Sequence, residues 1–525
     1  MSQPAQGPCD EAVVRGGAPA LPCAAATQRW VLACAILGSS MAFVDGTVVN
    51  VALPSIQHDL RATAFEAQWV VESYALFLAS LILVGGALGD RFGRRRIYAL
   101  GVAIFLLASL GCALSRNVWE LVLARGVQGI GAALLVPGSL ALISASFPQS
   151  ERGHAIGVWS AASAVTAAIG PVLGGFLVDR YSWSWAFLIN VPLAMAVLAI
   201  AKWRVPESRG AAADAPLDVA GALLATVALG ALVFAFIEGP ARGWRSIAVV
   251  LAWAAAAAGA IGFFAVELRR RSPMLPLKLF RNRDFAGANL LTLLLYAALG
   301  GGLFFFPLTL IQAQGYGAAA AGAALLPFIA VMSALSGQAG RLVDRYGPRP
   351  ALIAGPLVAA AGFAGLALPG IGGSYWTSYF PAVVVLGLGM SLTVAPLTTT
   401  VMNAVGPEMA GVASGVNNAV SRSAALLAVA VFGLAVAAWF NARLDQALPT
   451  LGATTEWIEA VRSQSARLGA LQAPQGTDAP LANELHRVVE GAYIGGFRLV
   501  MVLSAGLAVL SAVMAALFIA TRSPR

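Results

Sequence analysis

The chain has 525 residues, of which 59% are hydrophobic and only 11% are charged, and its mean hydropathy is +0.79. Soluble globular proteins carry about twice this charged fraction, so the composition excludes a water-soluble domain and predicts an integral membrane protein. The net charge is +9; because Lys and Arg beside apolar segments orient a protein in the membrane and contact anionic lipid, we expect no nucleic-acid partner.

Apolar runs of about 18 or more residues recur along the whole chain, and a helix needs about this length to cross the hydrocarbon layer. The runs are too long and too continuous for strands of a membrane barrel, so each is predicted to be a helix. Fourteen spans are predicted, at approximately 30–54, 69–88, 97–114, 121–143, 155–178, 184–202, 217–237, 247–267, 286–311, 319–339, 351–369, 378–402, 414–439 and 493–520.

The distribution of basic residues predicts the orientation. If both termini are cytoplasmic, the inner segments carry 21 of the 33 Lys and Arg residues and the outer loops carry nine. The other three, Arg125, Arg422 and Arg498, lie inside spans. Since basic residues accumulate on the cytoplasmic side, we expect a multi-pass protein of the cell (inner) membrane with both termini in the cytoplasm.

Two predicted cytoplasmic turns are similar in sequence: residues 86–96 read GALGDRFGRRR, and residues 340–349 read GRLVDRYGPR. Each follows the second span of a six-span block if spans seven and eight are set apart. The repeat predicts an all-α membrane protein with two six-helix bundles and two inserted helices, as in transporters that bind substrate between duplicated halves. The expected segments are an inner tail (1–29), the first bundle (30–202), the inserted helices (203–267), an inner linker (268–285), the second bundle (286–520) and an inner tail (521–525).

Asp45 lies deep in the first span, within the sequence FVDGTVVNVALP. A carboxylate at such a depth is costly unless it is neutral, paired or hydrated. Arg125, in the fourth span, lies at comparable depth and is the predicted partner. We expect this pair to load and release a proton, and the alternative is a permanent ion pair that fixes helix packing.

Other polar and small residues in the spans are weaker candidates. Glu72, three residues into the second span, is either a second proton site, a charge that attracts cations, or an interfacial residue whose side chain reaches water. Near Asp45, we expect Gly46 to admit a neighbouring helix, Asn50 to line a cavity and Pro54 to end the span. In the fifth span, small residues and Pro171 predict close helix contact and a bend that rigid-body rocking can use.

Two irregular segments lie outside the spans. Residues 267–283 combine basic residues with Leu and Phe, and they are predicted to lie on the inner membrane surface as an orientation anchor and linker. Residues 441–490 form a predicted outer loop before the last span. Within it, residues 454–468 have apolar side chains at helical spacing and form either a short helix that caps the outer opening or a passive loop.

Together these residues resemble the major facilitator superfamily, specifically its fourteen-span drug:proton antiporter branch of EmrB/QacA type. The motifs that carry the resemblance run in order along the chain from residue 43 to beyond residue 420. They are DGTVVNVALP, GALGDRFGRRR, LARGVQGIGAA, GPVLGG, WSWAFLINVP, PLKLFRNRDF and GVASGVNNAVSR.

The resemblance assigns roles to individual residues. Asp45 and Arg125 take the proton-coupling roles, with Glu72 as a further candidate, and Asn50 and Arg422 are candidates for cavity lining or coupling. The antiporter motif comprises Gly170, Pro171, Gly174 and Gly175, and the inner gate comprises Gly86, Asp90, Arg91, Gly93, Arg94, Asp344, Arg345 and Gly347. The tenth span lacks the acidic residue that some dication exporters of this branch carry, which argues against strong dication transport.

The expected function is proton-driven export of hydrophobic or amphipathic compounds by alternating access, with multidrug efflux and antibiotic resistance as its outcome. No enzyme activity or cofactor is expected, and the absence of a GxxxxGK[ST] sequence argues against ATP-driven transport. The four cysteines have no paired spacing and no His partner, so no metal site is expected. The alternatives are an exporter of an endogenous metabolite or lipid and a non-transporting membrane receptor or scaffold. Expected partners are small hydrophobic substrates, protons, membrane lipids and, as the resemblance to EmrB allows, a periplasmic adaptor protein.

Overall fold

A computed structural model describes residues 25–209, 218–270, 273–405 and 409–520 of the chain. Within these residues the secondary structure is helical, with no β-strand. The long helices, in chain order, are α1 (Ala25–Asp59), α2 (Ala64–Phe92), α3 (Arg94–Leu114), α4 (Val118–Ser146), α5 (Gln149–Arg180), α6 (Trp185–Leu188 and Asn190–Arg204), α7 (Val219–Arg242), α8 (Ile247–Arg269), α9 (Arg283–Gln312), α10 (Ala318–Ala323 and Leu326–Tyr346), α11 (Pro348–Leu366), α12 (Phe380–Asn403), α13 (Ala410–Ala447) and α14 (Ala479–Phe518).

Thirteen helices in the described part of the chain are long and apolar enough to cross a membrane. Thirteen of the fourteen predicted apolar spans correspond to these helices, the span at 155–178 being the exception, and several of the helices continue past the apolar runs at their polar ends. Pro54, for example, lies inside α1 and does not end it. Helix α5 is 32 residues long and is not among these thirteen.

The helices pack as two groups joined along one side. Helices α1–α6 contact mainly one another, as do α9–α14, and we call these groups the N-terminal and C-terminal halves. The hairpin of α7 and α8 packs through α7 against α2 of one half and α13 of the other. Between the halves, the principal contacts are α5 with α10 and α2 with α13.

Close contacts within each half depend on glycine. A Cβ atom at Gly85 of α2 would lie 2.0 Å from the carbonyl oxygen of Ala133 in α4. At Gly389 of α12, a Cβ would lie 2.3 Å from the backbone nitrogen of Ala359 in α11. Since no side chain fits in these contacts, the backbones meet directly, as small residues allow in membrane helices.

The two ends of the structure differ in how the halves meet. We call the end that carries residues 86–96 the motif end and the opposite end, which carries residues 60–63, the far end. Toward the far end, Gln312 donates a hydrogen bond to Gln57 at 3.0 Å, and Gln68 donates to the carbonyl of Val429 at 2.9 Å. At the motif end, no hydrogen bond among the described residues joins the two halves. The far end is therefore the closed end.

Asp179, at the end of α5, adds a third connection at the far end. Its two carboxylate oxygens accept hydrogen bonds from the backbone nitrogens of Ala318 (3.2 Å) and Ala319 (3.0 Å), where α10 begins. A carboxylate at a helix N-terminus satisfies donors that have no partner inside the helix and interacts favourably with the helix dipole. Asp179 therefore links the N-terminal half to the C-terminal half.

Short helical segments cover the far end between α13 and α14. Residues Thr455–Arg462 form a helix and Ser465–Ala470 a 3₁₀ segment, and the apolar side chains of Val461 and Leu468 are buried. Segment Ser465–Ala470 contacts α1 and α2 of one half and α13 and α14 of the other. The short helix predicted within residues 454–468 is present at Thr455–Arg462, and its role as a cap of the outer opening stays a prediction.

The linker between the halves contains a 3₁₀ segment at Leu277–Arg281. The ring of Phe280 packs edge-on against that of Phe285 at the start of α9, with 5.2 Å between ring centroids. The linker is therefore anchored on the C-terminal half, and its location on the membrane surface stays a prediction.

We predict that Asp179→Ala loosens the far end, because it removes the two hydrogen bonds to α10. The reporter is a cysteine at Leu308, which is 6% exposed at the far-end contact between the halves, in a chain whose Cys9 and Cys23 are replaced by serine. Loss of a helix cap costs about 1 kcal/mol, so maleimide labelling of the reporter should accelerate about fivefold. Asp478→Ala is the control, because Asp478 precedes α14 without a side-chain cap bond; equal rates in both variants would contradict the prediction.

Candidate functional site

Asp45 and Arg125 form a buried ion pair between α1 and α4. The Arg125 Nη1 donates to Asp45 Oδ2, and both side chains are 0% exposed. The contact predicted from the depths of the two residues is therefore present in the structure. Each charge lies within a helix whose neighbouring side chains are mostly apolar, so its stability depends on the polar groups that surround it.

Two amide side chains complete the surroundings of Asp45. Gln128 of α4 donates from Nε2 to Asp45 Oδ1 at 2.7 Å, and Asn190 of α6 donates to the same oxygen at 3.1 Å. Both amides also donate to the hydroxyl of Ser109 on α3, at 2.8 Å and 3.2 Å. Four helices of the N-terminal half thus meet at one carboxylate.

Arg125 has further partners of its own. Its Nε donates to the carbonyl of Val70 on α2 at 3.0 Å, and its Nη1 donates to Gln128 Oε1 at 2.6 Å. The guanidinium carbon lies 4.2 Å from the ring centroid of Tyr74, a distance at which a cation is attracted to the face of the ring. The Nη2 atom has no hydrogen-bond partner among the described residues.

The sequence analysis identified the ion pair but missed Gln128, Asn190 and Ser109. Gln128 follows Arg125 by three residues and so lies on the same face of α4, which a search at helical spacing would have found. Asn190 is the polar residue of the sequence AFLINVPLAM. Its contact with Asp45 depends on how α6 is rotated, which the sequence does not encode.

Glu72 lies on α2, outside the Asp45 network. Its side chain is buried, with the residue 1% exposed, and neither carboxylate oxygen has a hydrogen-bond partner in the described part of the structure. Of the three alternatives for Glu72, the structure contradicts the one in which its side chain reaches water at the interface, because α2 begins at Ala64, before the apolar run, and places Glu72 two turns inside the helix. An unpaired carboxylate in such surroundings has a large desolvation penalty when it is ionised.

The remaining candidate residues near the site have fewer polar contacts than Asp45 and Arg125. Asn50 is half-buried, and its Oδ1 has no partner among the described residues. Arg422, on α13, is also half-buried and makes no hydrogen bond or ion pair within the described residues. The expectation for Gly46 is wrong, because a Cβ atom there would meet nothing within 4 Å. No hydrogen bond or ion pair among the described residues joins Asn50 or Arg422 to Asp45.

The antiporter-motif glycines on α5 make close contacts with two helices. A Cβ at Gly170 would lie 2.2 Å from Thr47 Oγ1, and one at Gly174 would lie 2.6 Å from a methyl group of Val48, both on α1. On the other side, a Cβ at Gly175 would lie 2.4 Å from Ala319 of α10. Helix α5 therefore packs directly on the residues that follow Asp45 and on the C-terminal half.

Pro171 belongs to the same contact. It lies inside α5, and its carbonyl oxygen would be 2.2 Å from a Cβ at Gly322 of α10. The predicted close packing of the motif is present, and its predicted bending during transport stays a prediction.

In the turn at residues 86–96, the predicted gate residues contact their own half. Asp90 accepts a hydrogen bond from Arg94 Nε at 2.8 Å, so it pairs within the turn and does not cap a facing helix. Gly93 has φ +111°, a conformation that favours glycine. Gly86 makes an ordinary contact with Pro137 of α4, and Arg91 lies over the ring of Phe92.

In the second turn, Gly347 also has a positive φ, +77°. The side chains of Asp344 and Arg345 lie outside the described residues. Whether the two turns act as an inner gate stays a prediction.

Glu207, which the sequence analysis missed, caps the N-terminus of α3. It accepts hydrogen bonds from the backbone nitrogens of Arg95 (2.9 Å) and Arg96 (3.2 Å), and Arg94 N donates to the carbonyl of Ser208 at 2.8 Å. The segment after α6 is thereby tied to the turn at residues 86–96. A lone acidic residue between Lys202 and Arg209 was the available indication in the sequence.

Comparisons with known proteins place the chain among membrane transporters. The family model described as Major Facilitator Superfamily matches residues 35–429. The Multidrug resistance protein Stp of Mycobacterium tuberculosis is 39% identical over 426 residues, which cover 80% of this chain and 78% of that protein. The Tetracenomycin C resistance and export protein of Streptomyces glaucescens is 32% identical over 490 residues, which cover 91% of this chain and 89% of that protein.

The fold is shared with solved structures at lower identity. A bacterial homologue of the human lysosomal transporter Spinster superposes with a TM-score of 0.65 at 20% identity, over 95% of this chain and 98% of that one.

We predict that Asp45→Leu destabilises the protein more than the double variant Asp45→Leu/Arg125→Leu. Removing one partner of a buried ion pair costs about 3–5 kcal/mol because the other charge stays buried and unpaired, whereas replacing both by apolar residues costs less. The free energy of unfolding in detergent micelles, followed by tryptophan fluorescence, measures the difference. Asp59→Leu, at the exposed end of the same helix, is the control; a double variant no more stable than Asp45→Leu would refute the prediction.

Proposed function

The chain belongs to the Major Facilitator Superfamily, and from this membership we propose that it is a proton-coupled antiporter that exports hydrophobic or amphipathic compounds of the multidrug type. The observation that carries the proposal is the buried Asp45–Arg125 pair, since ionisable residues inside membrane helices commonly mark proton relays. Relatives named for multidrug resistance and for tetracenomycin C resistance and export support the direction of transport.

We place all fourteen long helices in the membrane, with α5 as the fourteenth span. Its support is that α5 packs between α1 and α10, both of which are apolar enough to span. The excess of basic residues in the inner segments places the motif end and both termini in the cytoplasm. The far end then faces away from the cytoplasm, in the cell (inner) membrane.

With this orientation, we propose that this conformation receives substrate from the cytoplasm. The far end is closed by the hydrogen bond from Gln312 to Gln57, by the contact of Asp179 with α10 and by the segment Ser465–Ala470. The halves are not hydrogen-bonded to each other among the described residues of the motif end. Export requires the far end to open and the motif end to close, by rocking of the halves.

Protonation of Asp45 is the proposed trigger. A neutral Asp45 no longer balances the charge of Arg125, whose remaining partners are the carbonyl of Val70, the amide of Gln128 and the ring of Tyr74. The loss of this attraction favours a displacement of α1 against α4. Because Gly170 and Gly174 of α5 touch α1 just after Asp45, and α5 touches α10, such a displacement reaches the contact between the halves.

We predict that Asp45→Asn abolishes proton-driven export. Asparagine keeps the size of the side chain and resembles the protonated carboxyl, but it cannot bind and release the proton, so the initial rate of export should fall about tenfold or more. The measurement is uptake of an amphipathic fluorescent dye into inverted vesicles with an imposed proton gradient. Arg125→Ala should also lose transport, and Asp59→Asn, on the same helix but exposed, should transport like the wild type.

Undiminished proton-driven uptake by Asp45→Asn would overturn the assignment. The same assay separates the two alternatives. Transport of lipid analogues or metabolites without transport of dyes would favour an exporter of an endogenous compound. Absence of proton flux with a broad panel of substrates in the wild type would favour a receptor or scaffold.

Glu72 is proposed as a second proton site, and Glu72→Gln tests it. Glutamine resembles the protonated carboxyl, so we expect exchange of substrate for substrate without a gradient to continue, while the number of protons moved per substrate falls. Simultaneous recording of vesicle pH and dye flux measures this number. Glu120→Gln, at the exposed far end of α4, is the control. A selective loss of affinity for cationic dyes, at an unchanged proton number, would instead favour the role of attracting cations.

A further inference from the structure

A groove between α13 and α14 at the far end lies outside the proton site and the contact between the halves. It encloses about 790 Å³ and opens on the surface of the C-terminal half. Helix α13 contributes Trp439 and Arg443 to its wall, and α14 contributes Arg487, Gly491, Leu499 and Val502. The transport mechanism proposed above uses none of these residues.

The mouth of the groove carries two exposed arginines on adjacent helices. In the part of the chain that the structure describes, neither Arg443 nor Arg487 forms a hydrogen bond or an ion pair, and Arg443 lies 5.0 Å from the ring centroid of Trp439. Asp445, the nearest acidic residue along α13, is paired with Arg462 at 2.9 Å. Two unneutralised guanidinium groups facing one groove favour a phosphate, which they can contact with paired hydrogen bonds.

Away from Arg443 and Arg487, the lining is mainly apolar. It includes Arg498, whose guanidinium donates hydrogen bonds to the carbonyls of Leu368 (3.3 Å) and Pro369 (2.9 Å). The groove follows α14 from Arg487 to Val502, a distance of about 22 Å at the helical rise per residue, and ends at Leu499 and Val502. Val502 is 58% exposed. A site with positive charge at one end and an apolar channel at the other matches a molecule with an anionic head and a hydrocarbon chain.

Two details support a built site. Gly491 keeps the middle of the groove open, since a Cβ there would meet nothing within 4 Å. The indole Nε1 of Trp439 is buried and has no hydrogen-bond partner among the described residues, although such a donor usually has one. Tryptophan and arginine side chains of this kind occur where a membrane protein meets the headgroup region.

We propose that this groove binds an anionic phospholipid of the leaflet at the far end. Its phosphate lies between Arg443 and Arg487, and one acyl chain follows the groove past Gly491 to Leu499 and Val502. A free phosphate would use the arginines but not the apolar channel. A phospholipid uses both, and it is available in the membrane beside a groove that opens on the surface of the bundle.

The test measures lipid retained by the full-length protein. Wild type and variants are reconstituted into nanodiscs of phosphatidylcholine and phosphatidylglycerol and released into mild detergent, and the bound lipids are counted by native mass spectrometry. Arg443→Gln/Arg487→Gln removes the charges, and Gly491→Leu fills the groove without changing charge. Each should lower retained phosphatidylglycerol roughly tenfold, as expected for the loss of hydrogen bonds to a charged group.

Two matched controls should retain phosphatidylglycerol like the wild type. Arg116→Gln removes an exposed arginine at the far end of the N-terminal half, and Gly506→Leu adds the same side chain to open space elsewhere on α14. Equal retention by every variant would overturn the proposal and favour a protein partner for the groove. Equal retention of phosphatidylcholine and phosphatidylglycerol by the wild type, or displacement of the lipid by inorganic phosphate alone, would overturn it as well.

Discussion

A charge buried among membrane helices must keep its polar partners close, and this constraint organises the N-terminal half. Asp45 and Arg125 are fully buried, so the penalty for removing both from water is large and is offset only by near-complete hydrogen bonding. The partners come from α1, α2, α3, α4 and α6. The ion pair therefore requires five helices to keep a fixed arrangement around it. A change in the charge of the pair affects the polar contacts of all five helices.

Glycine contacts on α5 connect this arrangement of helices with the C-terminal half. Gly170 and Gly174 bring α5 against α1 immediately after Asp45, and Gly175 brings the opposite side of α5 against α10. On the α10 side, at Gly175, the backbones touch without an intervening side chain, so a shift of α5 there cannot be absorbed by a change of rotamer. The same small residues that permit close packing thus connect the helix of Asp45 with the C-terminal half.

Much of the fold and part of the site could be predicted from the sequence, for identifiable reasons. Apolar runs of membrane length predicted the helices, and the depth of Asp45 and Arg125 along their spans predicted their contact. The position of Glu72 was misjudged because α2 begins in polar sequence, where Thr63 and Glu66 form a capping box. The contacts of Asn190 and Glu207 depend on how helices and linkers are placed around one another, and no spacing along the chain encodes that placement.

The distribution of polar contacts explains how the halves can stay intact while the contact between them changes. Around Asp45, several hydrogen bonds share the same few atoms, so they form and break together. At the far end, the halves are held by separate contacts of Gln57, Gln68 and Asp179, each contributing about 0.5–1.5 kcal/mol. Separate contacts of this size can be lost one after another at modest cost, whereas the Asp45 network resists partial loss. In the proposed mechanism, a change in the charge of Asp45 is therefore expressed as movement at the weaker contact between the halves.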